Sequence, residues 1–387
     1  MKRDKKTLLI ILYAAAPIAF SIWMVLLNNF VVEKASFSGK DIGILQSIRE
    51  VPGFLAFTVV FVLYFLKQQS FSIFSLIMMG FGTAIVGFFP SHIGLYTTTL
   101  IMSVGFHYLE TLQQSLSLQW LSKKEAPEFF GKLLSIKSII SLVAYGGVYI
   151  ALSYLDASYT SVYLLGGGIT MYIGFFAWFY FPTFTESVKQ RNTLVLRKRY
   201  WLFYLLTFLS GARRQIFVVF AGFLLVEKFQ YGTTYIAMLF LINCALNMWF
   251  APAIGKFIAK FGERKALMVE YIGLIIIFTS YAFVESGVFA SILYVLDHLF
   301  FALAIALKTY FQKIADPKDI SSTTGVSFSI NHIAAIILPA LLGFIWVISP
   351  TAVFLTGTGF ALLSFIFSRF IPEHPEVGKE TLFFKSV

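Results

Sequence analysis

The sequence predicts an all-α membrane protein, with twelve transmembrane helices in two pseudo-symmetric six-helix bundles. Three observations predict it. Of 387 residues, 58% are hydrophobic and only 13% charged, where soluble domains carry about a quarter charged residues. Apolar segments of spanning length recur twelve times. Short matches also recur at one offset, so the second six segments restate the first.

The segments fall at 7–30, 42–66, 71–90, 94–121, 130–154, 158–182, 200–226, 233–255, 266–284, 287–313, 320–347 and 350–371. Each is long enough to cross about 30 Å of hydrocarbon as a helix rising about 1.5 Å per residue. The first follows MKRDKK and stays apolar to about Leu27 without a small-residue cleavage site. It is expected as an uncleaved span rather than a signal peptide. The longest break, TFTESVKQRNTLVLRKR at 183–199, is polar and basic. The expected organisation is a first bundle at 1–182, a cytoplasmic basic linker at 183–199, and a second bundle with a cytoplasmic tail at 200–387.

The formal charge of +11 is a matter of topology. With the N-terminus inside, 22 lysines and arginines fall at inward ends and loops. The outward loops hold only Lys34, Lys40 and Lys228. Positive residues favour the cytoplasmic side, so both termini are expected there, in a multi-pass plasma membrane protein of the bacterial inner membrane. Nucleic acid as a partner loses its support. The one cysteine, Cys244, provides neither a disulfide nor a zinc or iron–sulfur cluster, and no metal or cofactor is expected. Enzyme chemistry is not expected either. There is no phosphate-binding Walker loop, HYLE at His107 lacks a second histidine, and SFSIN around Ser329 lacks the glycines of a nucleophile elbow. The GGG at Gly166–Gly168 lies in a span and suits close helix contact.

The repeat rests on three matches. FVVEK at Phe30–Lys34 returns as LLVEK at Leu224–Lys228, and GKLLSIK at Gly131–Lys137 returns as GVSFSIN at Gly325–Asn331, both offset by 194. Gln119 and Gln312 close the fourth and tenth spans, 193 apart. The period is six spans, an even number, so the repeat runs parallel about an axis along the membrane normal.

With these features the whole chain resembles the major facilitator superfamily. The most specific local feature is GKFIAKFGERK at Gly255–Lys265, similar to the family's cytoplasmic signature in Gly255, Gly262, Arg264 and Lys265. Ala259 replaces the acid of that signature, and the equivalent loop LKQQS at Leu66–Ser70 lacks it. The resemblance implies a secondary transporter, a symporter or antiporter working by alternating access. It also implies gating roles for Gly255, Gly262 and Arg264, and spans three, six, nine and twelve outside the cavity without buried charge.

Counting charges by span agrees with the last point. Those four spans carry only Arg369 and Glu270, each toward an inward end. The other spans hold Arg49 and Glu50, His107 and Glu110, Lys137, Arg213 and Arg214, Asn243 and Asn247, Asp297 and His298, and Asn331 and His332. Arg213 sits at the midpoint of its apolar run, where a charge costs at least about 2.5 kcal/mol unless a partner or wet cavity receives it. His107, Glu110 and Gln114 share one helix face, and Lys137 matches Asn331 in the repeat.

Intramembrane cations (Arg49, Lys137, Arg213, Arg214, with Lys308 near an inward end) outnumber the central acids Glu50, Glu110 and Asp297. A site with that excess favours an anion, since planar guanidinium groups suit carboxylate or phosphate. The expected substrate is a small organic or phosphorylated anion, moved with protons or by exchange in a monomer. Arg213, Arg214, Lys137, Asn331, Gln114 and Asn243 are the candidate substrate-binding residues. Glu110, His107, Asp297 and His332 are the candidates for proton coupling, and Arg49 with Glu50 forms a candidate gating pair. Two other readings stay open: proton-driven efflux of a cationic or amphipathic compound, and a non-transporting sensor or assembly factor. For each charge the competing role is a structural pair, Glu110 with Arg213 or Arg214 among them.

Overall fold

The computed structural model describes residues 2–37, 39–185, 188–191 and 193–383. All twelve expected helices form. They are α1 (Lys5–Ala35), α2 (Gly39–Phe54, continued by a 3-10 turn at Leu55–Thr58 and by Val59–Val62), α3 (Gln68–Ile85), α4 (His92–Trp120), α5 (Ala126–Tyr154) and α6 (Tyr159–Tyr180). The second six are α7 (Lys198–Glu227), α8 (Thr233–Phe261), α9 (Glu263–Ala282), α10 (Gly287–Ile314), α11 (Ile320–Ile348) and α12 (Pro350–Ser368). Among the described residues, eleven are long and apolar enough to cross a membrane. The exception is α4, which has the length at 29 residues but carries His107, Glu110, Gln113 and Gln114 in its middle turns.

Helix starts follow the side chains available. Asp4, Ser91, Ser158, Ser286 and Ser349 cap α1, α4, α6, α10 and α12, each accepting a backbone N–H of the first turn. Between α8 and α9 the chain turns on the single residue Gly262, at φ +83°, a left-handed conformation that favours glycine.

Contacts divide the chain into two compact units, 1–121 with 136–195 and 317–329, and 122–135 with 196–316 and 330–387. In the first, α3 lies against α4 and α6. Glycines permit the approach: a Cβ on Gly82 would come 2.4 Å from the Met102 nitrogen, and one on Gly167 2.3 Å from that of Ala84. Within the GGG run, Gly167 takes the tight helix contact, while a Cβ on Gly168 meets nothing within 4 Å. The basic segment before α7 is not a bare tether. Gln190 donates to the Pro317 carbonyl, Arg191 pairs with buried Asp319 at 3.1 Å, and the Val195 N–H donates to Ser322. In the second unit α9 lies against α12, and α12 against α7. Phe278, Phe354, Tyr281 and Trp346 belong to its apolar core.

The repeated GKLLSIK and GVSFSIN do repeated work. In the second unit a Cβ on Gly131 would lie 2.4 Å from the Ala251 carbonyl, and the Ser135 hydroxyl donates to Met248 at 2.6 Å. In the first, Gly325 approaches the Ala56 carbonyl, and Ser329 accepts the Phe57 N–H at 3.0 Å.

Candidate functional site

In the first unit the polar residues gather on α1, α2, α4 and α5. Glu110 of α4 and Lys137 of α5 form an ion pair, Nζ to Oε1 2.9 Å, with 28% and 29% of the side chains exposed. The ammonium also lies 5.7 Å from the ring centroid of Tyr13 on α1. The pair is a reachable charge couple rather than a core bridge. One turn before Glu110, His107 is buried, and its carbonyl accepts the Thr111 hydroxyl. Gln114 is buried on the same face. On α2, Arg49 pairs with Glu50 at 2.5 Å and lies 5.9 Å from the centroid of the enclosed Trp23 ring. Its carbonyl accepts the Ser103 hydroxyl of α4. The 3-10 turn at Leu55–Thr58 begins five residues beyond this pair.

In the second unit the two neighbouring arginines part. Successive helical residues point about 100° apart, so one of two adjacent cations turns inward. Arg213 is 0% exposed and faces α9, where Glu270, 1% exposed, lies 3.5 Å from Nη1. The guanidinium stacks 4.4 Å over Tyr271, and its Nε donates to the Leu209 carbonyl at 3.2 Å. Arg214 is half-buried. Asp297 on α10 is fully buried, within electrostatic reach of Arg213 and Glu270. Asn243 and Asn247 of α8 are buried, as is His332 of α11. Asn331 is half-buried, its amide 3.5 Å from the Thr207 carbonyl. Lys308 lies half-buried beside the ring of Phe130.

Three expectations change. Arg213 does not line an open surface but is enclosed against a carboxylate, so it is not available to a solute in this conformation. Glu110, expected as a structural partner of an arginine, forms its ion pair with Lys137. And α9, expected to need no buried charge, supplies Glu270. At the α8–α9 loop, Gly255 meets the Pro127 carbonyl, where a Cβ would stand 2.6 Å away, and Gly262 makes the turn. The ion pair there is made by Glu263, fully buried against Lys313 at 2.7 Å, beside the half-buried Arg264.

Comparison with known proteins follows this geometry. The Major Facilitator Superfamily model matches residues 9–338, and again 203–385. The chain belongs to the major facilitator superfamily. It is thus a membrane transporter by family, with the all-α fold described above. Several solved structures share that fold. FucP, a superfamily transporter in the outward conformation, is 14% identical with a TM-score of 0.76, covering 94% of this chain and 98% of its own. A bacterial homologue of the iron transporter ferroportin is 12% identical with a TM-score of 0.74, covering 95% and 98%. The human organic anion transporter MFSD10 is 12% identical with a TM-score of 0.73, covering 94% and 98%. No curated protein matches the sequence.

Sequence reasoning did not single out Glu263, and it placed Glu270 toward the inward end of its span without a role. Glu270 lies three residues C-terminal to Leu267 and four before Leu274, both fully buried, so it shares the inward face of α9. That spacing was the available signal, passed over because the residue lies near a helix end.

Proposed function

We propose that this superfamily member moves a small organic or phosphorylated anion across the bacterial inner membrane by alternating access, coupled to protons or by exchange. The observation that carries the reading is the half-exposed Glu110–Lys137 pair. An anion arriving at Lys137 competes with Glu110 for the ammonium. A carboxylate displaced from its cation in a poorly solvated site takes up a proton, so anion and proton enter together and the site's net charge is unchanged. Arg214, half-buried on α7, and Gln114, on the face of Glu110, are the next candidates for the substrate. Arg213 leaves the substrate-binding set and acts on its own helices. His107 supports Glu110, His332 remains a coupling candidate, and Arg49 with Glu50, Gly255, Gly262 and Arg264 are the proposed moving contacts.

The topology proposed has both termini in the cytoplasm, supported by the 22 to 3 bias of basic residues. Its arrangement is two six-span repeats, 1–182 and 200–387, joined through 183–199, in a monomer. The MFSD10 structure is that of an organic anion transporter by its name, which accords with the anion reading, although the likeness is one of fold.

Uptake of small carboxylates and phosphate esters into proteoliposomes, with and without a pH gradient, tests it. The Lys137→Gln variant is expected to lose anion uptake. Glu110→Gln is expected to keep anion exchange but to lose acceleration by the pH gradient. If Glu110→Gln instead abolishes flux of an organic cation that wild type carries, efflux of cations replaces this reading. Absence of flux for every class favours the sensor.

A further inference from the structure

Arg213 of α7 and Glu270 of α9 meet where neither is exposed, and Asp297 of α10, equally buried, lies within electrostatic reach of both. The ion pair is loose. Its single contact is 3.5 Å, against about 2.7–2.9 Å for a committed charge-assisted bond. Four polar atoms in the cluster are buried without a hydrogen-bond partner among the described residues: Arg213 Nη2, Glu270 Oε2 and both oxygens of Asp297.

The charge count does not close. A guanidinium stays protonated in proteins, so two ionised carboxylates around it would leave one net negative charge in a buried interior. An uncompensated buried ion costs several kcal/mol. A single proton on either acid makes the cluster neutral. It also supplies a donor for a carboxylate that now has none.

We propose that this cluster is a proton-binding site, in which Glu270 and Asp297 share one exchangeable proton around Arg213. The titratable neighbours do not remove the need for it. Tyr271 lies under the guanidinium, and Tyr281 and Tyr294 lie within electrostatic reach of Asp297; all three are neutral donors. His298 follows Asp297 on α10, and Arg214 follows Arg213 on α7. α8 brings Tyr235, Cys244, Lys256 and Lys260, the lysines toward its cytoplasmic end, and α11 brings His332. α12 has no titratable residue within Pro350–Ser368. The π turn at Ile216–Ala221 starts three residues after Arg213, and a 3-10 turn at Ala302–Ala304 follows Asp297 on α10. Such irregular turns occur where helices shift register.

A coupling role for this proton rests on the transport reading, but its presence does not. The test is infrared spectroscopy of the purified full-length protein at neutral pH, read for the carbonyl band of a protonated carboxyl. Wild type and Glu110→Gln are expected to show the band, and Asp297→Asn to lose it and to release one proton fewer per chain on alkaline titration. Asp297→Asn is expected to melt as wild type does, since a neutral amide replaces a protonated acid and the Arg213–Glu270 pair keeps the cluster neutral, whereas Arg213→Gln melts earlier. A wild type without the band, or with a band that only Glu110→Gln removes, overturns the site. Band present with no flux of any solute would sink the transport reading and leave this one standing. Normal proton-coupled flux without the band would do the reverse.

Discussion

Lys137 and Glu110 hold each other at 2.9 Å, with more than a quarter of each side chain open. Arg213 and Glu270 lie 3.5 Å apart with none. A half-exposed pair contributes about 1 kcal/mol or less to stability. Lys137→Gln should therefore melt within a few degrees of wild type while losing anion uptake. A large fall in melting temperature with uptake intact would make the pair structural.

Breaking the enclosed pair has the opposite signature. Arg213→Gln strands at least one carboxylate, and removing one partner of a buried ion pair costs about 3–5 kcal/mol. Thermal unfolding in detergent should show the loss. Double replacement with Glu270→Gln should recover part of it, because the one acid then left, Asp297, is neutral when it keeps the shared proton.

Gly131 carries helix contact rather than chemistry. A Cβ there meets the Ala251 carbonyl at 2.4 Å, while one on Gly146, farther along α5, meets nothing within 4 Å. Gly131→Val should lower transport and melting temperature, with Gly146→Val leaving both near wild type. Equal behaviour of the two variants would remove the contact from the account.

At the N-terminus, the Thr7 N–H donates to the Asp4 carboxylate at 2.8 Å, and this bond holds the carboxyl below its usual value of 3.8. A depressed carboxyl stabilises the folded state above its unfolded value, and the contribution disappears as pH falls through the folded one. Protection of the first-turn amides of α1 against exchange, taken relative to the unfolded chain at each pH, should be high at neutral pH and fall in acid below about pH 4. Asp4→Asn should show protection much less dependent on that acid step.

Ser135 and Ser329, 194 residues apart, show how much was legible. Their shared motif was visible as a repeat, and each serine bonds the backbone of another helix, Ser135 donating to the Met248 carbonyl and Ser329 accepting from the Phe57 N–H. Spans were readable because twenty apolar residues in sequence have few other fates. The α8 helix extends to Phe261 beyond its apolar run, because Lys256 and Lys260 continue a helix as readily as leucine does. The residues of the candidate site were mostly readable too, since a charge in a span stands out by its cost.

Pairing was not readable. The sequence by itself determined the number of helices, the duplication, the basic bias of the loops and the presence of Arg213 within hydrocarbon depth. Only the tertiary structure decided that Arg213 turns to Glu270 on α9, that Lys137 holds Glu110, and that the Asp297 carboxylate is enclosed without a hydrogen bond among the described residues. Hydrophobicity is a property of each segment and adds along the chain. The face that one helix offers another depends on its rotation about its own axis, which packing against neighbours fixes.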